Sequence, residues 1–249
     1  MKTIGVIPAR FASTRFPAKV LADIAGKPMV RHVWEKAGLC KELDEVLIAC
    51  DHQEVFKAAQ NFKARAVMTD PRHASGSDRI AQAVKDLNAD IVINIQGDEP
   101  FFDPLAIDAL AVLLKQDTEI LMGTVIKPIT DEADIANPNV VKCVVDDQGF
   151  ALYFSRSPIP YHRGKNTSLG TTDYKHLGLY AYRKDFLMEF TKWPKGLLES
   201  IEELEQLRAL ERGVKIKTTV TTHESMAVDT PQDLQKAILW FDKLKLMTK

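Results

Sequence analysis

Cysteine is scarce. The 249-residue chain has three, Cys40, Cys50 and Cys143, odd in number and widely spaced. No CxxC pair occurs, which argues against a disulfide framework or a zinc site and leaves buried free thiols in a reducing compartment. No apolar run approaches the length needed to cross a bilayer. The opening MKTIGVIPAR reaches Arg10 too soon to hold the apolar core of a secretion signal. A cytoplasmic protein without membrane association is expected. Excess charge is missing too. The 33 Lys and Arg against 34 Asp and Glu give a formal net charge of -1, and no basic stripe suggests nucleic acid as a partner. An anionic ligand must then be held by locally placed cations rather than by a global field. The six histidines include no HExxH pair, which disfavours a zinc hydrolase. Neither GxxxxGK[ST] nor GxGxxG is present, so the two common Gly-rich phosphate loops are excluded.

What is present is an ordinary globular composition, 45% hydrophobic and 27% charged, at a length suited to one α/β domain or a core with one sizeable excursion. Thr3 to Ala9 is a β-rich apolar run too short for a stable helix. Helical spacing over Lys27–Cys40 follows, then strand at Glu45–Asp51, helix at Gln53–Phe62 and strand at Arg65–Thr69. Helix at Ser77–Leu87, strand at Asp90–Gln96 and helix at Pro104–Leu114 complete the series. Such alternation predicts a mostly parallel sheet flanked by helices. Ligands of these sheets sit beyond the carboxyl ends of the strands, where the polar loops Arg10–Lys19, Asp70–Asp78 and Gly97–Asp103 converge. After about residue 120 the pattern changes. Val140–Val145 and Phe150–Phe154 flank a hairpin signal at Asp146–Gly149. Residues 155–175 form a Pro-, Gly-, Ser- and Thr-rich excursion. Leu197–Arg212 has helical spacing with Leu197, Ile201, Leu204 and Leu207 inward and Gly213 as its cap. Val214–Thr221 is a strand, and a last helix begins at Pro231 with Thr230 as N-cap.

Arg10, Arg15 and Lys19 concentrate cationic charge in one proline-stiffened loop at a strand end, which suits a triphosphate. Gln96-Gly97-Asp98-Glu99-Pro100 ends a hydrophobic strand in an acidic pair. Carboxylates there suit Mg²⁺, although a turn with an Asp helix cap is equally ordinary. His73-Ala74-Ser75-Gly76-Ser77-Asp78-Arg79 is a helix start whose small residues also let a flat pyrimidine approach the backbone. Thr230, Pro231 and Asp233 suffice to start the last helix, which leaves Asp229 over as a second carboxylate. Glu205 and Gln206 lie in what is otherwise an acidic, solvated helix. Strand alternation puts His176, Tyr180 and Tyr182 on one face.

IPARFASTRFPAK, HASGSDR, NIQGDEP, YFSRSPIPY, HLGLYAYR, LEQLRALERG and VDTPQDL occur in this order along nearly the whole chain. Together they resemble the 3-deoxy-manno-octulosonate (KDO) cytidylyltransferase family. The resemblance implies a Rossmann-like nucleotidyltransferase fold. In that fold residues 1–130 and 214–249 form a nucleotide-binding core, and about 131–213 form an inserted sugar-binding and dimerisation lobe. It also implies a magnesium-dependent homodimer that joins CMP from CTP to KDO for lipopolysaccharide synthesis. By the resemblance, Arg10, Ser13 and Lys19 hold the triphosphate and nucleotide, while Ser75, Gly76, Asp78 and Arg79 frame the cytosine and ribose. Asp98 and Asp229 bind Mg²⁺ and, with Lys19 and Arg10, form the catalytic set. Arg15, Gln96, Arg156, His176, Tyr180, Glu205 and Gln206 bind the sugar acid. The family signature reads Pro-Gly-Lys where this chain has Pro17-Ala18-Lys19, a methyl where the backbone needs positive φ or close phosphate approach. Ser77 replaces a common Thr. A related sugar acid, an 8-amino KDO analogue or a sialic acid, is the nearest alternative substrate. A nucleotide-binding regulator without catalysis is the alternative of another class, disfavoured by the retention of both Asp98 and Asp229.

Overall fold

The computed structural model describes residues 1–12, 16–163 and 173–247. Along the chain come β1 (Thr3–Ala9), a short 3-10 turn (Lys19–Leu21), β2 (Asp23–Ile24), β3 (Lys27–Pro28), α1 (Met29–Ala37), β4 (Glu45–Cys50), α2 (Gln53–Asn61) and β5 (Arg65–Met68). Then follow α3 (Gly76–Val84), β6 (Ile91–Asn94), α4 (Pro104–Gln116), β7 (Met122–Pro128), α5 (Glu132–Ala136), β8 (Lys142–Val145) and β9 (Ala151–Ser155). The remainder is β10 (Tyr174–Arg183), α6 (Lys184–Phe190), α7 (Leu197–Glu202), α8 (Leu207–Glu211), β11 (Ile216–Val220) and α9 (Pro231–Met247).

The chain divides into two compact units, Met1–Asp108 with Glu224–Lys249, and Ala109–His223.

In the first unit the strands lie in the order β6-β1-β4-β5. Each neighbouring pair is parallel. A parallel sheet covered on both faces has continuously apolar strands, and β1 is TIGVIPA with only Pro8 not fully buried. Parallel strands end at one edge, so the segments after Ala9, Cys50, Met68 and Asn94 gather there. The last helix belongs to this unit. Ile24, Met29, Phe101, Val228 and Ala237 form a buried cluster, with Phe16, Leu234 and Phe241 packed against it. That cluster brings the residues just before α9 alongside those just after β6. The expected helix over Lys27–Cys40 is shorter because Lys27–Pro28 pairs with Asp23–Ile24 around Gly26 at φ +84. Pro28 is therefore the N-cap of α1 rather than part of its first turn.

The second unit is mixed: β11 runs parallel to β7, and β7-β10-β8-β9 pair antiparallel. The β8–β9 hairpin turns where the sequence indicated. The Asp146 carboxylate accepts the amides of Gln148 and Phe150 at 3.0 and 2.7 Å, and Gly149 takes φ +77.

The helix expected over Leu197–Arg212 is instead two helices, α7 and α8, separated at Glu203 with φ 52. The carbonyls of Glu202 and Glu203, which a continuing helix would bond to later amides, accept the Arg156 guanidinium instead. Arg208 turns back onto Glu199 with two bonds of 2.7 and 2.6 Å. Leu204 and Leu207 are buried as expected, whereas Leu197 and Ile201 are 72% and 70% exposed.

All three cysteines are free and buried. Burial pushes the Cys40 and Cys143 thiols up to about 12, so neither is a nucleophile near neutrality. Among the described residues, no helix is long and apolar enough to cross a membrane.

Candidate functional site

The loop after β1 is held at both ends. Its entry is fixed by the Asp51 carboxylate, which accepts the Phe11 amide at 2.8 Å. The Phe11 ring stacks on His52 with centroids 3.9 Å apart. Its exit closes where the Ala18 amide donates to the Phe11 carbonyl at 2.9 Å. Ser13 and Arg15 lie outside the described residues. Arg10 is exposed, its guanidinium 3.5 Å from the Ala74 carbonyl. Ala18 adopts the left-handed conformation, φ 55 and ψ 24, which costs an L-residue about 1–2 kcal/mol. Glycine loses that strain but gives back part of the gain through its freer unfolded chain. Ala18→Gly is expected to stabilise the protein by about 0.5–1 kcal/mol, measured as a rise in the urea midpoint.

The left-handed turn delivers Lys19 to the edge of the sheet. Its ammonium donates to Asp98 Oδ2 at 2.5 Å and to Asp229 Oδ1 at 2.8 Å. Two local devices place the aspartates. Gly97 passes so close to β1 that a Cβ there would lie 2.7 Å from the Pro8 carbonyl oxygen. The backbone at this point excludes any side chain, and Asp98 follows directly. Asp229 arrives because the Val228 amide donates to the Asp98 carbonyl at 2.9 Å, with Val228 itself in the apolar cluster. Thr230 and Asp233 exchange hydrogen bonds at the start of α9, as helix-start chemistry requires, and Asp229 stands outside that exchange.

Burial alone would lower the Lys19 pKa. Asp98, then Asp229, reverse the sign, and the ammonium is held above its usual range. Next to it Glu99 is buried, and burial with the neighbouring Asp98 charge pushes it up to about 7, although the Ser225 hydroxyl donates to it at 2.9 Å. Carboxylates thus outnumber the one ammonium they surround. Asp98 and Asp229 supply hard oxygen donors close enough to share one small cation. Among the described residues no group of three or more such donors exists. A pair of carboxylates suits Mg²⁺, which takes one or two and completes its shell with phosphate and water.

The expected base-binding group divides in two. Ser75 caps α3: its hydroxyl accepts the Asp78 amide and the Asp78 carboxylate accepts the Ser75 amide, both at 3.1 Å. Gly76 lies against the Pro8 ring. Arg79 is fully buried, bound to Asp51 at 2.9 Å and to the Thr69 hydroxyl at 2.5 Å. It therefore braces Asp51, which in turn holds Phe11.

Gln96 stays in the first unit, its amide nitrogen 3.5 Å from the Asn94 side-chain oxygen. Arg156, His176, Tyr180, Glu205 and Gln206 belong to the second unit. Arg156 donates to the carbonyls of Glu202, Pro138 and Glu203. Its own carbonyl is held by the buried Lys142 ammonium, which also binds the carbonyls of Asn137 and Val140. His176 is partly accessible, between Phe154 and Tyr180 at centroid distances of 5.0 and 5.3 Å. Burial lowers its pKa to about 3, so the ring is neutral at physiological pH. Burial also raises the Tyr180 phenol well above its usual value. Glu205 lies 3.5 Å from Arg208. Gln206 is 3% exposed and its amide nitrogen has no partner, a state that costs about 1–3 kcal/mol unless a ligand supplies an acceptor.

The sequence profile of a family described as cytidylyltransferase matches residues 4–216. The chain belongs to the cytidylyltransferase family. A relative named 3-deoxy-manno-octulosonate cytidylyltransferase in Solibacter usitatus is 52% identical over 94% of this chain and 92% of its own length. One with the same name in Geobacter sulfurreducens is 47% identical over 98% of this chain and 100% of its own. Among solved structures, a CMP:2-keto-3-deoxy-manno-octonic acid synthetase in complex with CTP superposes with a TM-score of 0.93. It is 40% identical, covering 98% of this chain and 99% of that one.

Within this cytidylyltransferase several supporting residues went unnoticed in the sequence. Asp51, Lys142 and Glu202 sit in stretches that read as a strand end, a strand start and a solvated helix. Glu202 accepts the Ser155 hydroxyl at 2.7 Å and the Arg156 amide at 2.9 Å. The partners of Asp51 and Glu202 lie tens of residues away, and no local period signals such bonds. Only the absence of an obvious ion partner for the apolar-flanked Lys142 offered a hint.

Proposed function

We propose that this chain is a 3-deoxy-manno-octulosonate cytidylyltransferase. It transfers CMP from CTP to KDO, forms CMP-KDO and pyrophosphate, and so activates the sugar for lipopolysaccharide synthesis. The observation that carries the reading is the Lys19 ammonium set between Asp98 and Asp229, at the strand ends where nucleotides bind in such sheets. The full-length likeness to a synthetase holding CTP supports it.

The C2 hydroxyl of KDO releases its proton to water as its oxygen bonds to the α-phosphorus, the bond from that phosphorus to the bridging oxygen breaks, and pyrophosphate leaves with the electron pair. Transfers of this kind depend on positioning and charge neutralisation. Lys19, kept protonated by its two aspartates, and Arg10 supply positive charge to the phosphates. Ser75 and Gly76 at the start of α3 offer backbone groups to the cytosine, and Asp78 keeps that turn in shape. Asp98 and Asp229 are the residues to hold Mg²⁺, which when bound would neutralise phosphate charge and lower the pKa of the attacking hydroxyl. His176, Tyr180, Glu205, Gln206 and Gln96 take the hydroxyls of the sugar. Arg156 gives three of its five N–H donors to backbone carbonyls and keeps two, and it or Arg15 pairs with the sugar carboxylate. A homodimer working in the cytoplasm completes the proposal, and light scattering tests the first part of it.

Mass spectrometry of products from CTP, Mg²⁺ and a panel of KDO, its 8-amino analogue and a sialic acid tests the reaction. CMP-KDO in preference to the other conjugates is the expected result. Pyrophosphate release that does not depend on a sugar acid, or preference for another member of the panel, would overturn it.

A further inference from the structure

The strand carrying His176 is irregular. Its pairing with β7 shifts register between Leu177 and Tyr180, where residues of β10 bulge away from the ladder. Bulges recur beside functional sites, where they re-aim a side chain. This one is filled from the partner strand by Thr124, a fully buried residue. The Thr124 oxygen lies 2.8 Å from the Leu179 carbonyl and 2.9 Å from His176 Nε2. The Leu177 carbonyl is the next nearest acceptor at 3.5 Å.

A threonine hydroxyl has one hydrogen and can accept others, whereas a carbonyl can only accept. The 2.8 Å contact with Leu179 therefore holds the hydroxyl hydrogen. What remains on the Thr124 oxygen facing the imidazole is a lone pair, so the ring must donate. In a neutral imidazole only one nitrogen carries hydrogen, and fixing it on Nε2 leaves Nδ1 as a pure acceptor. Among the described residues Nδ1 has no partner and is not one of the fully buried unpartnered side-chain atoms, and His176 as a whole is half-buried.

We propose that Thr124 is a positioning residue that locks His176 in the Nε2–H tautomer, so that Nδ1 accepts a hydrogen bond from a hydroxyl of the sugar acid. This rests on the sugar-acid role given to His176 above. It assigns direction to that contact: the histidine reads a donor, and a substrate analogue with an acceptor at the same position is rejected. Gln206, whose unpartnered amide nitrogen can only donate, supplies the opposite polarity in the same unit.

The test is Thr124→Val, which keeps the shape and removes the hydroxyl, with Thr124→Ser as the conservative companion. Nitrogen NMR of histidine-labelled protein without substrate should show the wild-type His176 proton on Nε2, and a mixture of tautomers in Thr124→Val. The KM for the sugar acid should rise about five- to tenfold in Thr124→Val, the size of one neutral hydrogen bond. KM for CTP should stay unchanged, and Thr124→Ser should restore both readouts. A wild-type ring protonated on Nδ1 would overturn the lock, as would a Thr124→Val enzyme with an unaltered sugar KM. The NMR arm needs no substrate, so its failure is distinguishable from failure of the sugar-acid reading. The latter shows as absent CMP transfer in the wild type and overturns the role given to Nδ1.

Discussion

Asp98→Asn is expected to lower CTP turnover by about a thousandfold, the upper range for losing one preorganised electrostatic contact at a reacting phosphate. The substitution keeps size and hydrogen-bonding capacity, so the fold should survive. Its amide would still lie within reach of Lys19, but the group would no longer carry charge for a cation. Asp229 alone cannot replace it, because Lys19 would then bind the one remaining carboxylate of that pair. Pyrophosphate release at saturating CTP, magnesium and KDO measures the effect, and circular dichroism checks the fold. Near-normal turnover with magnesium would remove Asp98 from the proposed metal site.

Arg79→Met should cost about 3–5 kcal/mol of folding stability, the range for removing one partner of a buried ion pair. The Arg79 and Asp51 side chains are 0% and 6% exposed. With the guanidinium gone, the Asp51 carboxylate keeps only the Phe11 amide, and the Thr69 hydroxyl loses a donor. The lost stability should appear in urea unfolding as a lower midpoint at unchanged slope. The loop entered at Phe11 should loosen with it, raising the KM for CTP although Arg79 itself lies too deep to touch nucleotide. A loss below about 1 kcal/mol would mean that Asp51 does not depend on this partner.

The first unit was legible because its signals are local. Thr3–Ala9 forms a strand to the residue, since an apolar β-branched run ended by Pro and Arg has no competing period. Asp98 and Asp229 could be singled out because nearby residues already account for the turn and the helix start. The structure brings both onto Lys19. The second unit was harder. The apolar spacing from Leu197 to Leu207 is a helix pattern, and nothing within it reveals that Arg156, some forty residues earlier, binds the carbonyls at its middle. The same holds for Arg79. A guanidinium beside a Gly-Ser turn suggests a ligand contact until Asp51 is seen beneath it. Long-range ion pairs and bulge-filling hydroxyls such as Thr124 leave no trace in sequence period.

Lys19 and Asp229 are 210 residues apart in sequence. A nascent chain therefore cannot assemble this charged trio until synthesis has passed residue 229, long after the β1–β4–β6 sheet is available to fold. Contacts of such separation form late, because the intervening chain must be closed first. A ribosome that stops early releases a protein with a sheet but without its second aspartate. Such a fragment lacks one of the two carboxylates that hold the Lys19 ammonium.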